Sequence, residues 1–95
     1  MSKAQHTKGP WVRNGSFVET SDFNYQIALI LMPRPPGRED IGNSALIAAA
    51  PDLLESCIAA KHVLRALLVK EPGHWGATNA LELVNKAIEK ATGAL

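Results

Sequence analysis

Apolar residues recur at every second position early in the chain and at every third or fourth position later, so strands should precede helices. The longest alternation runs from Tyr25 to Met32. Tyr25, Ile27, Leu29 and Leu31 fall on one face, and Gln26, Ala28, Ile30 and Met32 on the other. Trp11–Arg13 and Ser16–Thr20 predict two shorter strands before it. Asn14-Gly15 joins them, a dipeptide suited to the two positive φ angles of a type I′ turn. Ser21–Asn24 supplies the next turn, giving a three-stranded antiparallel meander. Neither face of Tyr25–Met32 is properly polar, and such a strand is usually covered on both sides. Later helices can cover Ile27, Leu29 and Leu31. Ile30 and Met32 then need a second subunit, so a homodimer is expected, unless the following connector folds back over them.

Pro33-Arg34-Pro35-Pro36-Gly37-Arg38 suits neither a sheet interior nor a helix and reads as a semi-rigid connector. A short helix follows over Asp40–Ala49 and is broken at Pro51, whose ring pushes Ala50 out of the α region. Pro51 is itself well placed to start a new helix, with Asp52 and Glu55 near the positive end of the dipole. That helix runs to about Val69. Leu53, Cys57, Ala60, Leu64, Leu67 and Leu68 form its apolar stripe, widened by Leu54 and Ile58, with Lys61 and Arg65 at the edge. Glu71-Pro72-Gly73 ends it. The last helix spans Gly76–Thr92, with Ala77, Ala80, Leu81, Val84, Ala87, Ile88 and Ala91 on one face and Gly93 as its stop. The expected fold is α+β: a small three-stranded antiparallel meander followed by a short helix and an antiparallel helical hairpin. Its 95 residues make one domain: 1–7 flexible, 8–32 strands, 33–39 connector, 40–95 helices.

Composition narrows the functional classes. Net charge is +1; residues 1–40 carry five Lys/Arg against four Asp/Glu, and residues 41–95 five against five. No basic face emerges, so general nucleic-acid binding is not expected. One cysteine forms neither an internal disulfide nor a Cys-rich zinc site, which fits a reducing cytoplasm. Met1–Thr7 has no apolar core of a signal peptide, and Ile27–Met32 is too short to cross a bilayer. No membrane association is expected.

Candidate chemistry is sparse. Cys57 lies on an apolar stripe, where a free thiol usually only packs. His62 sits about 140° around the wheel from it, by the 100° per residue of a helix, so the two form no nucleophile–base pair. His6 and His74 each neighbour a tryptophan, but no further ligand has metal-site spacing. Phosphate-loop, HExxH and GxSxG motifs are absent. An enzyme is not expected, nor a cofactor. Trp11 reads as core packing. Trp75, on a Gly-flanked loop beside His74, is open to a role in contacting a partner. Arg34 and Arg38 flank the prolines; they are either solvated or offer planar forks to a phosphate or carboxylate. Arg34, Arg38, Trp75 and His74 are thus the candidate binding residues.

Two stretches carry a family resemblance. His6-Thr7-x-Gly9-Pro10-Trp11 and Asn43-x-Ala45-Leu46-Ile47-Ala48-Ala49-Ala50-Pro51-Asp52-Leu53-Leu54 resemble short phage and prophage proteins of mostly unassigned function. Those commonly read His-Thr-Pro-Gly-Pro-Trp and Asn-Ala-x-Leu-Ile-Ala-Ala-Ala-Pro. Their last helix often closes like Ala87-Ile88-Glu89-Lys90-Ala91-Thr92-Gly93. Lys8 stands where proline is usual, and Ser44 intervenes before Ala45. The resemblance implies a phage context and transfers no catalytic residue. The leading expectation is a non-enzymatic phage accessory protein, acting in the host cytoplasm on a host protein, to blunt an antiviral defence system. The alternatives are a sponge for a nucleotide-type immune signal, lined by arginine, tryptophan and helix N-termini, and a structural or assembly protein.

Overall fold

Glycine sets the first turn. Gly15 has φ 61°, in the left-handed region that costs most L side chains about 1–2 kcal/mol and glycine almost nothing. Strand β1 (Trp11–Asn14) and strand β2 (Phe17–Thr20) pair antiparallel around Gly15 and Ser16, with Asn14 opposite Phe17. Only the first loop residue has positive φ, the sign pattern of a type II′ turn. The turn therefore sits one residue later than Asn14-Gly15 predicts. Asn14 instead donates from Nδ2 to Glu19 Oε1 at 3.2 Å. The computed structural model describes residues 5–31 and 38–93.

The second turn falls on Ser21–Asn24 as expected and leads to β3 (Gln26–Leu29), giving the sheet order β1-β2-β3. This strand is shorter than Tyr25–Met32, and its register shifts. Glu19 faces Gln26, yet Val18 faces Ala28, which leaves Ile27 as an extra residue. A bulge of this kind inverts the phase of the alternation. Directly paired residues project to the same side. Arg13, Val18 and Ala28 therefore share one side, and Phe17 and Leu29 the other. Ile27 is half-buried as expected, but beyond it the coverage is reversed: Ile30 is half-buried, while Leu29 is 54% and Leu31 84% exposed. Met32 and the 33–37 connector lie outside the described residues.

Helix α1 (Arg38–Ala48) packs on β1 and β2 through small residues. Ser44 is fully buried; its Oγ donates to the Ile41 carbonyl at 3.0 Å and accepts from Arg13 Nη1 at 3.4 Å. Ile47 and Ala48, half-buried, and Pro51, buried, continue the same stripe at helical spacing. Pro51 meets Gly9, where a Cβ would lie 2.8 Å from Pro51 Cβ. Only glycine fits that approach. The Gly9-Pro10-Trp11 and Ala50-Pro51-Asp52 motifs are two sides of one seam, and the Gly9–Pro10 peptide is cis. Trp11 is half-buried rather than enclosed, and its Nε1 donates to the Thr7 carbonyl at 3.1 Å. Helix α2 (Ala50–Lys70) is a separate element, with Ala49 as a turn before it, so the break falls two residues ahead of Pro51. Ala50 is helical rather than pushed out of the α region, because Pro51 takes the second position of the new helix, where its missing N–H costs no bond.

The residues Thr7–Leu53 form one compact unit, and the chain from Leu54 forms a second. The second is a helical hairpin. Helix α2 ends at Lys70, and helix α3 (Trp75–Thr92) starts after a four-residue turn closed by the His74 N–H donating to the Glu71 carbonyl at 3.0 Å. On α2, Leu54, Cys57, Ala60, Lys61, Leu64, Leu67 and Leu68 are half-buried, close to the predicted stripe, although Leu53 and Ile58 are exposed. On α3, Ala77 and Ile88 are buried and Ala80, Leu81 and Val84 half-buried, while Ala87 and Ala91 are exposed. Gly93 ends α3 at φ 68°, its N–H donating to the Glu89 carbonyl. Glu82 and Lys86 pair at 3.3 Å on the exposed face.

Candidate functional site

The turn of the hairpin brings together two of the four candidate residues. His74 takes the N-cap position of α3 in extended conformation, and its Nδ1 accepts from the Ala77 N–H at 3.0 Å. That bond satisfies one of the orphan donors of the first turn. Thr78 closes the same turn, its Oγ1 donating to the His74 carbonyl at 3.0 Å. Trp75 is the first helical residue and is 80% exposed; Val69, in the last turn of α2, is 82% exposed. Tryptophan is usually well buried. Here an indole is held outward on a capped helix end, so its backbone is fixed while its surface stays in water. His74 supports that placement, and its Nδ1 lone pair is used in doing so.

Arg34 lies outside the described residues. Arg38 opens α1 instead of ending the connector. Cys57 is half-buried, and His62 is exposed. Among the described residues no three His, Cys, Asp or Glu side chains gather as a metal site. No helix among them is long and apolar enough to cross a membrane.

A second preorganised surface escaped the sequence pattern. In the β2–β3 turn, Asp22 Oδ1 accepts from Thr20 Oγ1 at 2.6 Å and from the Asn24 N–H at 3.0 Å, and Oδ2 accepts from Asn24 Nδ2 at 3.1 Å. The Thr20 hydroxyl, and next the Asn24 N–H, hold this carboxyl below the ordinary aspartate range. Thr20 Oγ1 also accepts from the Tyr25 N–H at 3.2 Å. The network fixes Phe23 at φ 62°, an uncommon position for an aromatic residue, and leaves it 63% exposed. Beside the turn lies a cleft of about 300 Å³ walled by Lys8, Pro10, Ser21, Asp22 and Tyr25. The Thr20-x-Asp22-x-Asn24 spacing was the available signal, since Asp side chains bond their own backbone two residues on.

The fold and these surfaces define a small α+β protein that displays fixed apolar side chains. Over residues 1–95 the chain matches the family described as Salmonella phage P22 protein Y8K6, and it belongs to that family. Comparison with curated proteins and comparison with solved structures give no match.

Proposed function

We propose that this phage protein is a non-enzymatic accessory factor that binds a host protein in the host cytoplasm, with Trp75 as its anchor. The observation that carries the proposal is the exposure of Trp75 at 80% on a helix start capped by His74. Tryptophan is enriched among the residues that dominate binding energy, because a large rigid surface is buried at little conformational cost. A host protein that weakens the phage, such as a component of an antiviral defence, is the class of target that a phage context favours. Affinity capture from host lysate tests it, comparing the parent chain with Trp75→Ala. The parent should retain a discrete host protein, and Trp75→Ala should lose it with an unchanged melting temperature. Retention of a nucleotide without a protein would point to the sponge instead. Equal capture by both chains would remove Trp75 from the interface.

A further inference from the structure

We propose that β3 is a self-pairing edge: two copies of this chain join antiparallel through Leu29 and Leu31, with the two-fold axis at Ile30. This inference stands apart from the host-protein reading and uses only the sheet.

Strand β3 lies at one end of the order β1-β2-β3, so among the described residues its outer backbone groups have no neighbouring strand in the sheet. The Ile30 N–H donates inward to the Ser16 carbonyl at 2.7 Å. Backbone groups alternate in direction along a strand, so those of Leu29 and Leu31 turn outward. The side chains of the same two residues are 54% and 84% exposed. Among the described residues, outward backbone groups and exposed leucines thus coincide.

Natural edges are usually blunted by charge or proline. Tyr25–Met32 contains neither. The other edge differs: β1 follows Pro10, which has no N–H, and carries Arg13. The register shift at Ile27 lies before the segment that would pair, so it does not interrupt Leu29–Leu31. One bare edge per sheet gives a closed pair, because a two-fold contact uses the same surface on both copies.

A second copy is the occupant that the chemistry favours. The edge asks for an extended, uncharged, apolar strand, and the segment itself is one. With the axis at Ile30, Leu29 meets the partner copy's Leu31 and the reverse, each pair exchanging two backbone hydrogen bonds. Directly paired side chains share a side, so the four leucines cluster and cover one another. Two leucines and a short strand edge per copy make a small contact beside the ~1,600 Å² of a standard interface. The pair should therefore be reversible and concentration-dependent.

Light scattering across a concentration series reads this directly. The mass should climb from 10.2 kDa toward twice that value, and Leu31→Lys should hold it at one chain with the circular dichroism unchanged. Cross-linking fixes the register independently. In a Cys57→Ser background, Ile30→Cys should form a disulfide dimer on mild oxidation, because opposed residues at such an axis come within disulfide reach. Val63→Cys, on an exposed position of α2, is the control and should link much more slowly. One-chain mass at every concentration overturns the proposal, as does a dimer that survives Leu31→Lys. Cross-linking no faster than the control overturns the register at Ile30. If the chain is monomeric and Leu31→Lys abolishes capture of a host protein, the edge belongs to a host strand.

Discussion

The hairpin and the sheet unit are held together in different ways. The hairpin from Leu54 rests on repetition: half-buried side chains recur at helical spacing on α2 and α3, and caps at His74 and Gly93 close the ends. No residue inside its helices needs an unusual backbone. The sheet unit rests on single close approaches. Gly9 fits against Pro51, Ser44 fills the seam under α1, and Gly15 and Phe23 take positive φ in the two turns. Periodic structures spread their stability over many similar contacts, whereas a seam concentrates it in a few positions where volume is fixed.

The largest expected effect tests the hairpin's dependence on its stripe. Ile88, 6% exposed, is the last buried side chain of the α3 stripe, and Ile88→Ala should cost about 2–5 kcal/mol through lost burial and a residual cavity. Thermal or urea unfolding measures it. A loss below about 1 kcal/mol would show that the stripe collapses onto the smaller side chain.

Next in size is the seam. Gly9→Ala places a Cβ within 2.8 Å of Pro51 Cβ and 3.1 Å of its Cγ. A proline ring cannot swing aside, so the clash should cost about 1–3 kcal/mol, the range for overpacking. Gly42, with nothing near its Cβ position, supplies the contrast in α1. There an alanine should gain up to about 1 kcal/mol of helix propensity. If both glycines respond alike to alanine, Gly9 owes nothing to Pro51.

This contrast follows how legible each region was in the sequence. The hairpin's helices and most of their inner stripes could be read, because a 3.6-residue period survives small errors of phase. Leu53, Ile58, Ala87 and Ala91, at the predicted stripes, are nevertheless exposed. The Gly93 stop was plain, resting on one residue with one conformational habit, and Pro51 signalled a break between helices but placed it two residues too late. The sheet's order and antiparallel sense were also readable, but not which side it exposes. One extra residue at Ile27 reverses the alternation, and nothing in Gln26-Ile27-Ala28 announces a bulge. The turn at Gly15 slipped by one residue because Asn-Gly and Gly-Ser both satisfy a hairpin's need for positive φ. Of the candidate site, His74 and Trp75 stood out by residue type. Phe23 did not, since its interest lies in its backbone angle rather than in the side chain.

Phe23 gives a third, smaller effect, in the opposite direction. An aromatic residue at φ 62° carries strain of about 1–2 kcal/mol, whereas asparagine tolerates that region. Because Phe23 is 63% exposed, replacing its ring gives up little burial. Phe23→Asn should therefore raise stability by about 0.5–1 kcal/mol, read as a higher denaturant midpoint at an unchanged slope. A loss of stability would mean that the ring packs on the turn more than its exposure suggests.

The smallest effect is the acid response of Asp22, on the same turn. Thr20 Oγ1 and the Asn24 N–H bind its charged form, so its carboxyl titrates below the ordinary aspartate value of about 3.9. A depressed folded-state value contributes stability that is present above the unfolded value and is lost as pH falls through the folded one. The window therefore lies below about pH 4, and the protein at neutral pH carries the full contribution. The group is exposed, so solvent screens its interactions and the change should be slight. NMR titration of the carboxyl carbon measures it. The midpoint should fall below that of an unstructured peptide and return toward it in Thr20→Val, which removes the hydroxyl and keeps the β-branched shape. If the midpoint stays low in Thr20→Val, the Asn24 bonds alone fix Asp22, and the hydroxyl only holds Tyr25.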